Sequence, residues 1–114
     1  MIIEAKIRNY LKSLLSVPVY LERPEKPPDS FVIIERVGGY ESNFVSHGTF
    51  AVKSIGKTMY EAASLDYDVV AAMRDIVSLD NISGCTLNAD TNFTDTTTKE
   101  YRYQSTYIID YMED

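Results

Sequence analysis

Two stretches of the chain have apolar residues at the spacing of one helical face. Residues 2–15 form the first stretch, and its charged residues lie on the opposite face. The second begins at Thr58, whose hydroxyl is placed to cap a helix while Glu61 reaches back toward the same turn. It continues for about five turns with an apolar face made of Ala62, Leu65, Val69, Ala72, Met73 and Ile76. The pattern therefore predicts two amphipathic helices.

Shorter stretches have the composition or the alternation of β-strands. They cover residues 17–21, 31–37, 49–55, 85–93 and 99–112. Pro18 favours a sheet edge for the first of them, because proline has no amide hydrogen to donate. The nearly uninterrupted apolar run at 31–37 is typical of a central strand. We expect Gly38 and Gly39 to break that strand, and residues 38–48 to form a segment too long for a hairpin turn.

The last predicted strand carries tyrosines on one of its two faces. They share one parity and are Tyr101, Tyr103, Tyr107 and Tyr111. We predict that the tyrosines toward the inner end of the strand, Tyr103, Tyr107 and Tyr111, pack beneath the helices as core. Tyr101 and Arg102 lie nearest the polar hairpin tip at residues 94–98, and these two residue types anchor many protein interfaces. We therefore expect Tyr101 and Arg102 to contact another molecule.

The elements follow one another in the order α-β-β-β-α-β-β within a single domain, residues 1–114. Strands joined by short connections pair antiparallel, and both helices need a sheet face to cover. The predicted fold is therefore α+β. It is a two-layer sandwich in which a mostly antiparallel sheet of four to five strands carries two helices on one face.

Charge and cysteine content narrow the classes of function. Eleven basic and seventeen acidic residues give a formal net charge of −6, and the basic residues are scattered, the reverse of what tight binding to nucleic acid requires. A single cysteine, Cys85, excludes an internal disulfide and a multi-cysteine zinc site. Charged residues interrupt the apolar positions near the N-terminus, so we expect no signal peptide, no membrane segment and synthesis in the cytosol.

Patterns of catalytic or metal-binding residues do not stand out. His47 is the only histidine, and its polar, glycine-flanked context predicts a solvated side chain in a loop. Nothing local brings Cys85 to His47 as a nucleophile pair, and no phosphate-binding glycine motif is present. Four acidic residues have spacings that predict a solvated side of the second helix, namely Asp66, Asp68, Asp75 and Asp80. We therefore predict a protein that is not an enzyme and has no cofactor and no metal.

Three segments carry a resemblance to a known family. They are VPVYLERPEKPPDSFVIIERVGG, KTMYEAASLDYDVVAAM and the run from ISGC through LNADTNFTDTTTKEYRYQSTYIIDY. In their sequence and in the order of their elements they resemble the tail-terminator or tail-completion proteins of siphoviruses, which are often labelled minor capsid or head-tail joining proteins. The resemblance implies a virion structural protein that forms a ring, usually a hexamer, at the head-proximal end of the tail. Such a ring ends growth of the tail tube and joins the tail to the head.

The resemblance also implies partners and a location. The partners are further copies of the chain, the tail-tube protein and the head connector protein, with DNA only a passing cargo in the lumen. The location is the head-tail junction of the virion, after synthesis in the host cytoplasm. Two segments, residues 38–48 and the tip at residues 94–98, are expected to contact neighbouring subunits or the tube. The residues expected to make contacts in and beside these segments are Gly39, Tyr40, Phe44, His47, Thr96, Thr97, Lys99, Tyr101 and Arg102.

Two alternatives are open at the level of sequence. A head-tail adaptor or stopper would share this composition and bind the portal side of the junction. A small-ligand-binding domain or an enzyme would have a deep pocket lined by Cys85 or His47.

Overall fold

The computed structural model describes residues 2–112 of the chain. The helices are α1 (Ile3–Leu14) and α2 (Met59–Arg74), and α2 is followed by a short 3-10 helix at Ile76–Ser78. The strands are β1 (Val19–Tyr20), β2 (Phe31–Ser42), β3 (Val45–Gly56), β4 (Ile82–Asn92) and β5 (Tyr101–Tyr111). The order α-β-β-β-α-β-β and the α+β class are confirmed.

The five strands form one sheet in the spatial order β1-β2-β3-β5-β4. β1 runs parallel to β2, and the other three pairs are antiparallel. α1 packs against β1 and β2, while α2 packs against β3, β5 and β4. Both helices contribute to the same core cluster, so they cover the same face of the sheet. The predicted two-layer arrangement is confirmed, with β1 at an edge as Pro18 indicated.

The main core lies between the helices and the sheet. Ile7, Leu11, Val69 and Met73 are fully buried there against sheet residues that include Phe50. A smaller cluster on the opposite face contains Phe31, Ile33 and Ile55, covered in part by Tyr20. Residues 31–34 are therefore buried on both faces of the sheet, which is why this run is apolar at successive positions.

The predicted break at Gly38 and the long loop up to Gly48 are wrong. β2 continues to Ser42 and pairs with β3 along its whole length, with a register shift between Arg36 and Gly38. Gly39 sits where the strands approach closely, because a Cβ there would lie 2.7 Å from the carbonyl oxygen of His47. These glycines thus fit the β2–β3 pairing instead of ending it.

The start of α2 is as the sequence predicts. Thr58 Oγ1 accepts a hydrogen bond of 3.1 Å from the amide of Glu61, and Glu61 Oε2 accepts one of 3.2 Å from the amide of Lys57. Gly56, just before this cap, leaves room for the helix, because a Cβ on it would lie 2.4 Å from the backbone nitrogen of Ala62. The cap and the glycine together fix how β3 turns into α2.

Candidate functional sites

The turn between β2 and β3 is built from two residues, Asn43 and Phe44, whose φ angles are 52° and 67°. A two-residue hairpin turn with two positive φ angles is usually filled by Asn-Gly, because only small residues adopt this conformation without strain. Here the second position is a phenylalanine whose side chain is 87% exposed. The turn therefore holds a bulky aromatic ring in solvent at a backbone position that disfavours it.

Another large side chain is exposed at the same end of the sheet. Tyr40 is 67% exposed and lies on β2 close to the turn, next to His47 on the neighbouring strand. We call Tyr40 and Phe44 the hairpin patch. Among the predicted contact residues, Gly39, Tyr40, Phe44 and His47 all belong to this hairpin, so the fold brings that half of the prediction together.

The surroundings of His47 differ from the solvated loop that its sequence context predicts. His47 lies on β3 and is only partly exposed, with its Nδ1 2.5 Å from Asp110 Oδ1. Its ring stacks on Tyr40, with centroids 4.7 Å apart and an angle of 23° between the planes. The prediction of a loop side chain is wrong because β3 starts before His47. His47 pairs with Asp110 across β3 and β5, and this pairing brings the imidazole next to the carboxylate.

A nucleophile pair between Cys85 and His47 is not formed. His47 pairs in register with Asp110 and Cys85 with Ile109, and neighbouring residues of a strand point to opposite faces. Cys85 faces the helices, where it lines a cavity of about 30 Å³, room for about one or two water molecules. Burial, and next the charge of Asp110, raise the pKa of the Cys85 thiol to about 11, which disfavours the reactive thiolate.

The second group of predicted contact residues lies at the tip between β4 and β5. The carboxylate of Asp95 accepts hydrogen bonds from the amides of Thr98 and Thr97, at 3.2 and 2.9 Å, and these bonds lower the pKa of Asp95. Lys99 has a φ of 57° in the same tip. The loop is thus ordered by its own backbone hydrogen bonds, with Thr96 and Thr97 exposed at its end.

Arg102 is engaged within the chain. Its Nε donates to the carbonyl oxygen of Phe93 at 3.3 Å, and its Nη1 lies 3.6 Å from Glu100 Oε1. Glu100 also pairs with Arg23 from the segment between β1 and β2. Arg102 therefore stabilises the tip through contacts within the chain, and Tyr101 beside it is half-buried. A contact of either residue with another molecule stays a prediction.

The two groups of predicted contact residues are at opposite ends of the sheet. β3 begins at the β2–β3 turn and ends opposite Tyr101, near the β4–β5 tip. Twelve residues of strand span roughly 40 Å, and the long axis of the molecule measures 44 Å. The sequence prediction thus corresponds to two separate surfaces.

Two of the three tyrosines predicted to pack beneath the helices are core residues, whereas Tyr103 is only partly buried. Tyr107 and Tyr111 are 2% and 1% exposed and belong to the main core. The hydroxyl of Tyr107 donates to Ser105 Oγ at 2.9 Å. Burial raises the pKa of Tyr107 far above its ordinary value, so the phenol acts as a neutral hydrogen-bond donor.

Asp66 contradicts the prediction of a solvated acidic face. Asp68, Asp75 and Asp80 are exposed, but Asp66 is only 4% exposed and faces Asp90 on β4 and Ser105 on β5. Burial, followed by the hydrogen bond and charge of Asp90, raises the pKa of Asp66 to about 8, while a hydrogen bond with Ser105 lowers it.

The position of Asp66 along the helix was the signal that the sequence prediction missed. Asp66 comes four residues after Ala62 and three before Val69, both of which are fully buried. Residues three and four apart share a helical face, so Asp66 lies on the buried side of α2. A groove of about 340 Å³ opens beside it and is lined mostly by apolar side chains, among them Val70 and Leu87.

No protein-family model matches this chain, and no curated protein matches it. Within residues 2–112, neither helix has both the length and the apolar character needed to cross a membrane. The same residues contain no group of three or more histidine, cysteine or acidic side chains arranged to hold a metal ion.

Proposed function

We propose that this protein is a non-enzymatic structural subunit that assembles head to tail into a ring and acts as a phage tail terminator. The observation that carries the proposal is Phe44, an aromatic side chain that is 87% exposed at a positive φ of 67°. A turn that served only the fold would favour glycine at this position. An exposed, strained aromatic residue at the end of a hairpin is suited to anchor a neighbouring molecule.

The two separated surfaces support a head-to-tail contact. In a cyclic ring each subunit uses two different patches, one for each neighbour. The hairpin patch and the β4–β5 tip lie at opposite ends of a molecule 44 Å long, so one subunit can engage two neighbours at once. An isologous dimer, by contrast, would use a single patch twice.

The assignment to a phage tail rests on the sequence resemblance of the three segments quoted above. The excess of acidic over basic residues fits that role, because a net charge of −6 favours a ring whose lumen repels DNA and lets it pass. The partners in this proposal are further copies of the chain, the tail-tube protein and the head connector protein.

Light scattering tests the proposal directly. The purified protein is measured over a range of concentrations, first alone and then with the tail-tube protein of the same phage. We expect a ring-sized species in at least one condition, since ring closure on the tube can require the tube as template. The Phe44→Ser variant should remain a folded monomer, and Tyr60→Ser, which removes an 81% exposed tyrosine from α2, is the matched control.

A monomer that ignores the tube protein would contradict the terminator role. Pull-down with the portal protein would then distinguish a head-tail adaptor from a protein outside the junction altogether. Normal ring formation by Phe44→Ser would refute the assignment of the hairpin patch as the subunit contact, and it would leave the terminator role to be carried by another surface.

A further inference from the structure

Three elements meet where α2 packs against β4 and β5. Tyr107 donates from β5 to Ser105 Oγ at 2.9 Å, and both side chains are buried. Asp66 on α2, which is 4% exposed, lies beside Ser105 and beside Asp90 on β4, and the two acidic side chains line the same groove. Asp90 is exposed, so Asp66 is the buried member of this carboxyl pair.

Two neighbouring carboxyl groups repel each other when both are charged, and one proton shared between them removes that repulsion. Asp66 is 4% exposed, and within residues 2–112 its Oδ1 has no hydrogen-bond partner. Without the proton, two negative charges would face each other beside the apolar side chains of Val70 and Leu87. A close contact between these two carboxyl groups therefore depends on one proton.

We propose that Asp66 and Asp90 form a proton-operated clasp, which holds α2 against β4 while one proton lies between their carboxyl groups and loosens when that proton is lost. The inference is independent of the proposed ring, since it concerns the packing of one subunit.

The charged and titratable groups around the clasp do not replace the proton. From α2 itself, Arg74 and Tyr67 line the groove, but none of the ion pairs within residues 2–112 joins Arg74 to either carboxylate. From the sheet, Cys85 on β4 and Tyr107 on β5 are close by, and burial raises the pKa of both.

β3 does not supply a counter-charge either. Ser54 faces the helices, while Lys53 points to the opposite face of the sheet and pairs there with Glu35 at 2.9 Å.

The direction of the pH dependence follows from the raised pKa of Asp66. In the unfolded chain this carboxyl loses its proton near its ordinary value, 3.8, whereas in the folded protein it keeps the proton to about pH 8. Between these two values the folded state binds more protons than the unfolded state, so stability falls as pH rises. One proton changes the folded-to-unfolded ratio by at most about tenfold per pH unit.

Urea unfolding from about pH 5 to about pH 9 tests this linkage. Asp66→Asn keeps the size of the side chain and a hydrogen donor for Asp90 but removes the titration. The control is Asp68→Asn, which makes the same change of charge on the exposed side of the same helix. We expect the folded-to-unfolded ratio of Asp66→Asn, relative to that of the wild type, to rise steadily toward pH 8. Asp68→Asn should follow the wild type.

The thiol of Cys85 reports any loosening of α2 from the sheet, because Cys85 lies half-buried on β4 beneath α2. Alkylation by iodoacetamide is compared at one alkaline pH, near 9, so that any difference in rate reflects access to the thiol. We expect the wild type and Asp68→Asn to react severalfold faster than Asp66→Asn. Removing a nearby negative charge would by itself speed the reaction, so the expected direction distinguishes opening from electrostatics.

Asp90→Asn provides the second variant in case Asp66→Asn folds poorly. It removes the facing carboxylate while leaving Asp66 in place, and it should also slow alkylation at alkaline pH. Equal alkylation rates in the wild type and both variants, or parallel pH profiles in urea, would overturn the proposal.

Discussion

Replacing Phe44 with glycine separates what the β2–β3 turn needs from what the exposed ring contributes. The residue has a φ of 67° and an 87% exposed side chain, so the fold of the subunit gains little from the ring. The proposed assembly, in contrast, depends on it. Phe44→Gly should therefore affect folding and assembly in different ways.

The effect on folding is the sum of three small contributions. Releasing a non-glycine residue from the left-handed region gains about 1–2 kcal/mol. Glycine gives the unfolded chain more freedom, which costs about 0.5–1 kcal/mol. The small buried remainder of the ring is worth roughly 0.6 kcal/mol at about 25 cal/mol per Å². The net change in the free energy of unfolding is thus expected to stay within about 1 kcal/mol of zero, whereas truncation of a buried phenylalanine costs about 3–5 kcal/mol.

The effect on assembly should be much larger. Residues that anchor an interface cost about 2 kcal/mol or more when truncated, and every 1.4 kcal/mol is about tenfold in the association constant. We therefore expect the subunit contact of Phe44→Gly to weaken by more than about tenfold. Urea unfolding monitored by circular dichroism gives the first quantity, and light scattering over a concentration range with tail-tube protein gives the second.

The two readouts can refute the reasoning separately. A loss of about 3 kcal/mol in the free energy of unfolding would mean that the ring packs within the subunit in solution. Unchanged assembly would remove the observation on which the proposed function rests. Phe44→Asn is the companion variant, because asparagine tolerates positive φ and should give the same result as glycine.

Two further predictions concern the β3–α2 connection and are measured by urea unfolding. Thr58→Ala removes the acceptor for the Glu61 amide and should lower the free energy of unfolding by about 1 kcal/mol, whereas unchanged stability would show that the cap is replaceable by water. Gly56→Ala places a Cβ 2.4 Å from the backbone nitrogen of Ala62 and should cost more than about 2 kcal/mol. Gly38→Ala, where a Cβ would have no atom within 4 Å, is its control and should stay within about 1 kcal/mol of the wild type. Equal effects of the two glycine substitutions would contradict the steric argument.

The success of the helix predictions has a local cause. The Thr58 cap and the apolar spacing of α2 are properties of neighbouring residues, and a helix closes its hydrogen bonds within about four residues. The same holds for residues 31–34, where an unbroken apolar run indicated burial on both sides. Such patterns can be recognised before any partner element is known.

The hairpin prediction failed because pairing is not local. Gly38 and Gly39 are residues that commonly end strands, yet across from β3 they sit in a register shift and a close approach of two backbones. Asn43 is a residue typical of such turns, but it is followed by Phe44 and not by the usual glycine. The sequence pattern therefore did not predict a two-residue turn here. Only the register of β2 with β3 shows that these residues continue the strand.

Several properties of this protein follow from the sequence alone. The α+β class, the two helices, the order of elements and the burial of Tyr107 and Tyr111 follow from periodicity, because these depend on residues close together in the chain. The tertiary structure decided the rest. It set the surfaces at opposite ends of β3, the His47–Asp110 contact and the carboxyl pair of Asp66 and Asp90, because each requires residues from different elements to meet.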